Sequence, residues 1–328
     1  MAVPTMAVPT MAVPATGGGS RARILDIVIP VGPRIVGPDP RAATRGPVTR
    51  RSERGAPMRW SIGVIACLTL TAGAAGAAGA QERPGAAPPR PANAIAGAVE
   101  VDHVFIATRP GAPEAAALRA AGFRVPERVS RHTGGGTASV SILFENAYLE
   151  LLYADSTAGD AASSPEDRAH WRRVFAWRES GASPIGVGLR RRAGAPDALP
   201  FPTERMPPQP WMRPDMEMRL VTTMADSLAP GVFVVPRSMG LPAWIGRMGR
   251  DSTGASLLEH PLGVRRMTAV RVVVAHPDGM PPSVRRLHDA GVLRVEPGAA
   301  PLVELTFDDG VRGATKDLRP TLPLLIRY

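Results

Sequence analysis

Glu150 stands inside the apolar run AYLELLY (147–153), where strand alternation would otherwise build core. A buried carboxylate without a partner costs several kcal/mol or takes up a proton. Its place therefore calls for an ion pair, for instance with Arg109 or Arg271 at a rim, or for a function. His103, in VEVDHVFIAT, poses the same question. An imidazole in an apolar strand reads either as a satisfied structural histidine or as a ligand. His132 precedes the glycine run Gly134-Gly135-Gly136 and reads as a rim acid–base group or as an exposed loop histidine. The glycine run is not a phosphate loop, because no Gly-Lys-Ser/Thr follows and a strand rather than a helix comes next. Ser139, Ser141 and Ser183 stand in no G-x-S-x-G setting, which removes the usual serine-nucleophile reading.

Composition narrows the partners. The 328 residues carry a formal charge of +10, but it is unevenly spread. Nine arginines and three acids precede residue 81, leaving thirty basic and twenty-six acidic residues in the rest. Lys316 is the only lysine. Without a dense basic stripe interleaved with aromatics, no nucleic-acid partner is expected.

The N-terminus is not fold. Residues 1–57 open with a MAVPT repeat and stay rich in Pro, Gly and Arg, as a disordered segment or an over-extended start does. Residues 58–80 read as a signal peptide: Met58-Arg59, an apolar stretch from Trp60 to Leu70, and a small-residue cleavage site at Ala78-Gly79-Ala80. The expectation is export to the periplasm or medium, with no transmembrane segment in the mature form. A retained N-terminal anchor is the rival. Val64-Ile65-Ala66-Cys67 fits a lipoprotein box, but the apolar run before it is short and the chain stays apolar beyond it. Cys67 is the only cysteine, so cleavage after Ala80 leaves no thiol for disulfides, metal sites or nucleophilic catalysis.

Residues 81–98 read as a Pro/Ala/Gly linker and 99–328 as one folded domain. VEVDHVFIAT predicts a strand with Val101, His103 and Phe105 on one face and Val104 and Ile106 on the other. PGAPEAAALRAAG predicts a short helix stopped by Gly122. FRVPERV, SVSILF and AYLELLY predict three more strands, making a β-α-β-β-β unit over 99–154. MTAVRVVVAH, GMPPSVRRLHDAG, VLRVEP, LVELTFDD and LPLLIRY repeat that order over 265–328. Two such units invite pairing, because a curved sheet exposes an apolar face that needs a partner. Between them, 155–264 reads as an irregular region. It contains a helix capped by Ser164, with Trp171 and Phe175 on one side, and short strands in IGVGLRR, EMRLVTTM and GVFVVPR. PFPTERMPPQPWMRP reads as loop on its prolines.

Tandem β-α-β-β-β units, VDHVFIA in the first strand, GGGTA and YLELL together resemble the vicinal oxygen chelate superfamily, and within it the glyoxalase-like domain proteins. HPLG at His260 is similar to a second-half segment of that branch, with Leu262 where asparagine is usual. The resemblance implies an α+β fold of paired modules in a cupped mixed sheet, with a divalent ion held by inward side chains. Carried over by position, His103 and Glu150 match the first-module ligands, and a mixed nitrogen and oxygen set suits Zn, Fe, Mn or Ni. The 265–328 unit departs from the pattern. MTAVRVVV has no His or Glu, and LPLLIRY has no carboxylate opposite Glu150. A catalytic metal normally has about three protein ligands, so a full set needs His260, His276 or Glu304 from a nonstandard place, His260 first. Arg271, aligned opposite His103, becomes a candidate anion-binding residue beside His132 at the rim.

The functional expectation is an exported glyoxalase-like domain protein that binds a small oxygen-bearing molecule. With a metal it would be a lyase, isomerase or dioxygenase. Without one it would be a binding or sequestration module of the same shape.

Overall fold

The first strand begins where an alanine-rich helix ends. The computed structural model describes residues 91–328 apart from 160–163, 210, 215, 224–225, 249–255 and 276–279. Helix α1 (Pro91–Ala98) runs directly into β1 (Val99–Ala107). The end of the expected linker is thus helical: alanine loses little entropy in a helix, and Ile95 and Ala98 bury in the core. The segments read as low complexity (1–57) and export signal (58–80), Cys67 included, lie outside the described residues, as does His276.

After β1 come α2 (Ala115–Ala120), β2 (Ser130–His132), β3 (Thr137–Leu143) and β4 (Tyr148–Ala154). They lie side by side as β2-β3-β4-β1, with β4 parallel to β1 and antiparallel to β3. FRVPERV does not form the expected strand. Pro126 has no N–H for a ladder, and pairing starts only at Ser130, while Phe123 and Val125 still bury in the core.

The partner of this first module is the middle region. Strand β5 (Ile185–Arg191) pairs antiparallel with β1. β8 (Gly231–Val234) pairs parallel with β5, followed by β7 (Arg219–Leu220) and β6 (Glu204–Arg205). The result is one eight-stranded mixed sheet, β2-β3-β4-β1-β5-β8-β7-β6. Its right half mirrors the strand order of its left half. Pairing of 99–154 with 265–328 is therefore not what the sheet shows. β6 and β7 have two residues each, too few for any hydrophobic period to register.

The C-terminal unit forms a second sheet from β9 (Met267–Val274), β10 (Arg294–Pro297), β11 (Leu302–Phe307), β12 (Thr315–Asp317) and β13 (Leu324–Arg327). Their order is β10-β9-β11-β13-β12. Helix α6 (Pro282–Asp289) connects β9 to its parallel neighbour β10 and packs beside α1. One apolar cluster joins both sheets: Val104, Ile106, Leu149, Leu151, Val187 and Val232 from the first, and Val270, Val272, Leu305 and Ile326 from the second. The fold is α+β, a mixed sheet of paired modules, as the sequence implies, with the C-terminal sheet added to it.

The other face of the eight-stranded sheet is met by α3 (Pro165–Phe175), through Trp171, and by α5 (Leu241–Met248), through Trp244. Helix α3 starts with a reciprocal cap between Ser164 and Asp167 and with Pro165 in its first turn, as its sequence predicts.

Candidate functional site

One extra residue in β1 aims the site. Val101 lies opposite Leu189 and His103 lies opposite Gly188, so Asp102 is an inserted bulge. The bulge shifts the alternation. Val101 packs against the core with Val104 and Ile106, while His103 and Phe105 turn to the opposite face. Strict alternation had put Val101 with His103; the bulge overrides it.

Residues opposite each other in adjacent strands share a face, so the register assembles the rest. Tyr148 lies beside His103 and Glu150 beside Phe105. Ser141 is opposite Glu150 and Ser139 opposite Leu152. His132 is opposite Thr137 and donates or accepts a 2.8 Å hydrogen bond between its Nδ1 and the Thr137 hydroxyl. On the other side come Gly188 and Phe233. The face carries His132, Ser139, Ser141 and Glu150 over β2, β3 and β4, and Phe105 and Phe233 over β1 and β8, with Gly186 and Gly188 of β5 between them.

Asp102 holds one side of the His103 ring. Its Nδ1 lies 3.0 Å from Asp102 Oδ2, and its Nε2 lies 3.9 Å from Glu150 Oε2. Its ring stacks on Tyr148 at 4.4 Å and meets Phe233 at 5.4 Å. Gly188 makes room underneath: a Cβ there would come within 2.1 Å of His103 Cε1. Gly186 does the same for Phe105. The second half of the sheet thus offers the site two glycines and a phenylalanine where ligands would stand.

Asp102 is fully buried and takes hydrogen bonds from Arg190 Nη1 (3.1 Å) and from the backbone N–H of Leu241 (2.8 Å), the first residue of α5. Burial alone would raise its pKa. The His103 hydrogen bond and charge, the Leu241 amide and Arg190 outweigh burial and hold the carboxyl below the ordinary range. Arg190 is fully engaged, since it also bonds Glu100 and the Asn146 carbonyl. A carboxylate on Nδ1 is the arrangement that fixes the tautomer and heading of a functional histidine.

Burial lowers the pKa of His132, with Glu150 opposing and His103 reinforcing the shift, so its imidazole is neutral near pH 7. Burial, then the charges of Glu150 and Asp102, push the Tyr148 phenol well above its usual value. Three tryptophans stand over this face: Trp171 against Phe105 (6.1 Å), Trp244 against Tyr148 (5.1 Å) and Trp211 against His132 (5.5 Å). All three are only partly buried.

The sequence-predicted residues divide. His103, Glu150 and His132 come together on one face. His260 does not join them. Its Nδ1 accepts from the Arg124 N–H (3.0 Å) and its Nε2 donates to the Leu143 carbonyl (2.9 Å), within a nest of Phe123 and Phe144. Both nitrogens are taken, so the histidine stands as a structural group and not as a ligand. Arg271 also lies elsewhere, in the second sheet, where it pairs with Glu304 (2.5 Å) and Glu296 (2.9 Å) while Arg327 holds Glu304 (2.6 Å). Glu304 is spent in the same network, and Arg109 pairs with Glu114 rather than Glu150. Asp102, Ser139, Ser141, Tyr148, Trp211 and Trp244 carry no sequence expectation as site residues, whereas Trp171 lies on the helix side that the sequence turns toward the sheet. The Ser-x-Ser alternation of β3, in register with Glu150, was the available signal.

These residues do not make a complete site for the divalent ion that the resemblance implies. His103 and Glu150 supply two donors, and among the described residues no group of three or more His, Cys, Asp or Glu converges. About three are needed. A surface hollow of about 380 Å³, lined by Arg191, Phe201, Thr203, Glu217 and Arg219, is a separate feature.

The family model described as a glyoxalase-like domain matches residues 101–287. No curated protein matches the chain. Twenty-eight chains of solved structures match. One, described as a hypothetical protein from Staphylococcus aureus, is 9% identical with a TM-score of 0.43, over 70% of this chain and 98% of its own. With more than half of its length matched from the strand that bears His103 onward, the chain belongs to the glyoxalase-like domain family.

Proposed function

We propose that the protein is a small-molecule-binding member of this family that works without a resident metal. It takes a small oxygen-bearing molecule against the His103 and Glu150 face of the eight-stranded sheet. The observation that supports this is hydrogen-bonding capacity on this face that the described residues do not use. Ser139 Oγ is buried and makes no hydrogen bond. Glu150, 9% exposed, makes no hydrogen bond among the described residues, and its one ion-pairing neighbour there is His103, at 3.9 Å. Native interiors rarely leave such groups unmet, because each costs about 1–3 kcal/mol. A ligand or water that returns those bonds accounts for them.

Each residue then has a task. Asp102 fixes the His103 ring, so that Nε2 faces the ligand as hydrogen-bonding or proton-exchanging atom. Glu150 accepts hydrogen bonds from the ligand, and Ser139 and Ser141 offer hydroxyls beside it. The tryptophans restrict water over the apolar half. Export remains part of this proposal and rests on the Met58–Ala80 segment of the sequence alone.

The test is elemental analysis of the full chain purified without added ions, followed by calorimetric titration with catechol and dihydroxyacetone. The proposal expects metal far below one equivalent and binding that His103→Ala abolishes in protein that remains folded. One equivalent of Zn, Fe, Mn or Ni that His103→Ala removes would overturn the metal-free reading in favour of a metal-dependent lyase or dioxygenase.

A further inference from the structure

Charge is unbalanced on this face. Arg190 and Arg192 answer Glu100, and Arg190 also answers Asp102. Glu150 has no arginine or lysine within ion-pairing distance among the described residues; only the imidazole of His103 approaches it. That imidazole is already shared with Asp102.

On the β1 side Glu150 adjoins an aromatic cluster. Phe105 is its register neighbour in β1, and Phe105 meets both Trp171 (6.1 Å) and Phe233 (6.4 Å). Tyr148, two residues before Glu150, carries Trp244 across its edge at 5.1 Å. Phe233, Tyr148, Trp171 and Trp244 are only partly buried, so part of each ring remains accessible to a ligand. Electron-rich ring faces around a carboxylate attract ammonium groups, quaternary ones above all. The same set disfavours an anionic ligand, which would meet Glu150 with no cation to receive it.

The geometry points to an organic cation as the ligand: we infer that the site prefers a small hydroxylated ammonium compound, with its cationic head between Glu150 and the Phe105, Phe233 and Trp171 rings and its hydroxyl toward His103 or Ser141. This inference rests on the proposed ligand face and adds the class of molecule bound there.

Calorimetric titration of the full chain with choline, its neutral isostere 3,3-dimethyl-1-butanol and the carboxylate 3,3-dimethylbutanoate tests it, with catechol run alongside. The expected result is choline binding at least tenfold tighter than the neutral alcohol, and no binding of the carboxylate. Glu150→Gln should reduce choline affinity about tenfold and leave the neutral alcohol unchanged. Trp171→Leu gives the same reading from a second position if Glu150→Gln fails to fold. Equal binding of choline and its isostere, or binding of the carboxylate, would overturn the cation preference. So would binding of catechol alone, sensitive to His103→Ala, although the ligand face would then stand. Absence of binding by all four compounds would overturn both.

Discussion

Gly188→Ala is the substitution whose outcome the geometry fixes most tightly. The backbone of Gly188 does not need glycine, because its φ is not in the left-handed region. On backbone grounds alone, alanine should stabilise the strand by roughly 0.5–1 kcal/mol. The added methyl, however, would lie 2.1 Å from His103 Cε1, 2.5 Å from Nδ1 and 2.6 Å from Nε2. The imidazole cannot yield easily, held by Asp102 on one edge and stacked on Tyr148. Overpacking of this kind costs about 1–3 kcal/mol, and a displaced ring also loses its bond to Asp102. The net expectation is a loss of roughly 1–2 kcal/mol, which for a domain of this size lowers the melting temperature by about 2–8 °C. Ligand binding should fall with it. Gly231→Ala is the matched control in the neighbouring strand, since its methyl would meet nothing closer than 3.8 Å. Thermal and urea denaturation of both variants read the difference. A Gly188→Ala protein as stable as Gly231→Ala, with intact binding, would refute the placement of His103 over β5.

Other perturbations separate the site from the scaffold. His260→Ala should cost roughly 2–5 kcal/mol in urea denaturation, because it empties an aromatic nest and strands the Arg124 N–H and Leu143 carbonyl. Arg271→Ala should leave choline and catechol affinity unchanged in calorimetry, since its partners Glu304 and Glu296 belong to the other sheet. For His132 the folded pKa lies below the unfolded value of 6.5. The unfolded chain therefore binds the extra proton, and stability falls as pH drops below about 6.5. Comparing His132→Gln with the parent by denaturation between pH 8 and 5 should show a shallower loss in the variant.

Much of the site was legible because chemistry stood out against an apolar background. Glu150 in YLELL and His103 in VDHVFIA broke runs that otherwise read as core, and the structure brings them to one face. β1, β3, β4 and β5 announced themselves by β-branched and alternating residues, and α3 by its cap. The misreadings share a physical origin. Asp102 was invisible as a bulge because alternation assumes one residue per pleat, and that assumption misplaced Val101. FRVPERV looked like a strand by hydrophobicity, but Pro126 cannot serve a ladder, and Phe123 and Val125 reach the core from irregular backbone. The true pairing partner of the first module was hidden because β6 and β7 are two-residue strands among prolines. The C-terminal unit has longer and more regular strands, so periodicity alone favours it for that role. Arg271 was misplaced by the same substitution of sheets. His260 lies in a segment similar to the family's, but sequence does not reveal that both its nitrogens are already bound.

A crystal of the full chain soaked in choline tests the central claim most directly. The ammonium group is expected against Glu150 and the Phe105 ring, with the Asp102 to His103 bond intact and no metal ion between His103 and Glu150. Choline bound away from β1 and β4, or a metal ion coordinated by His103 Nε2 and Glu150, would contradict it.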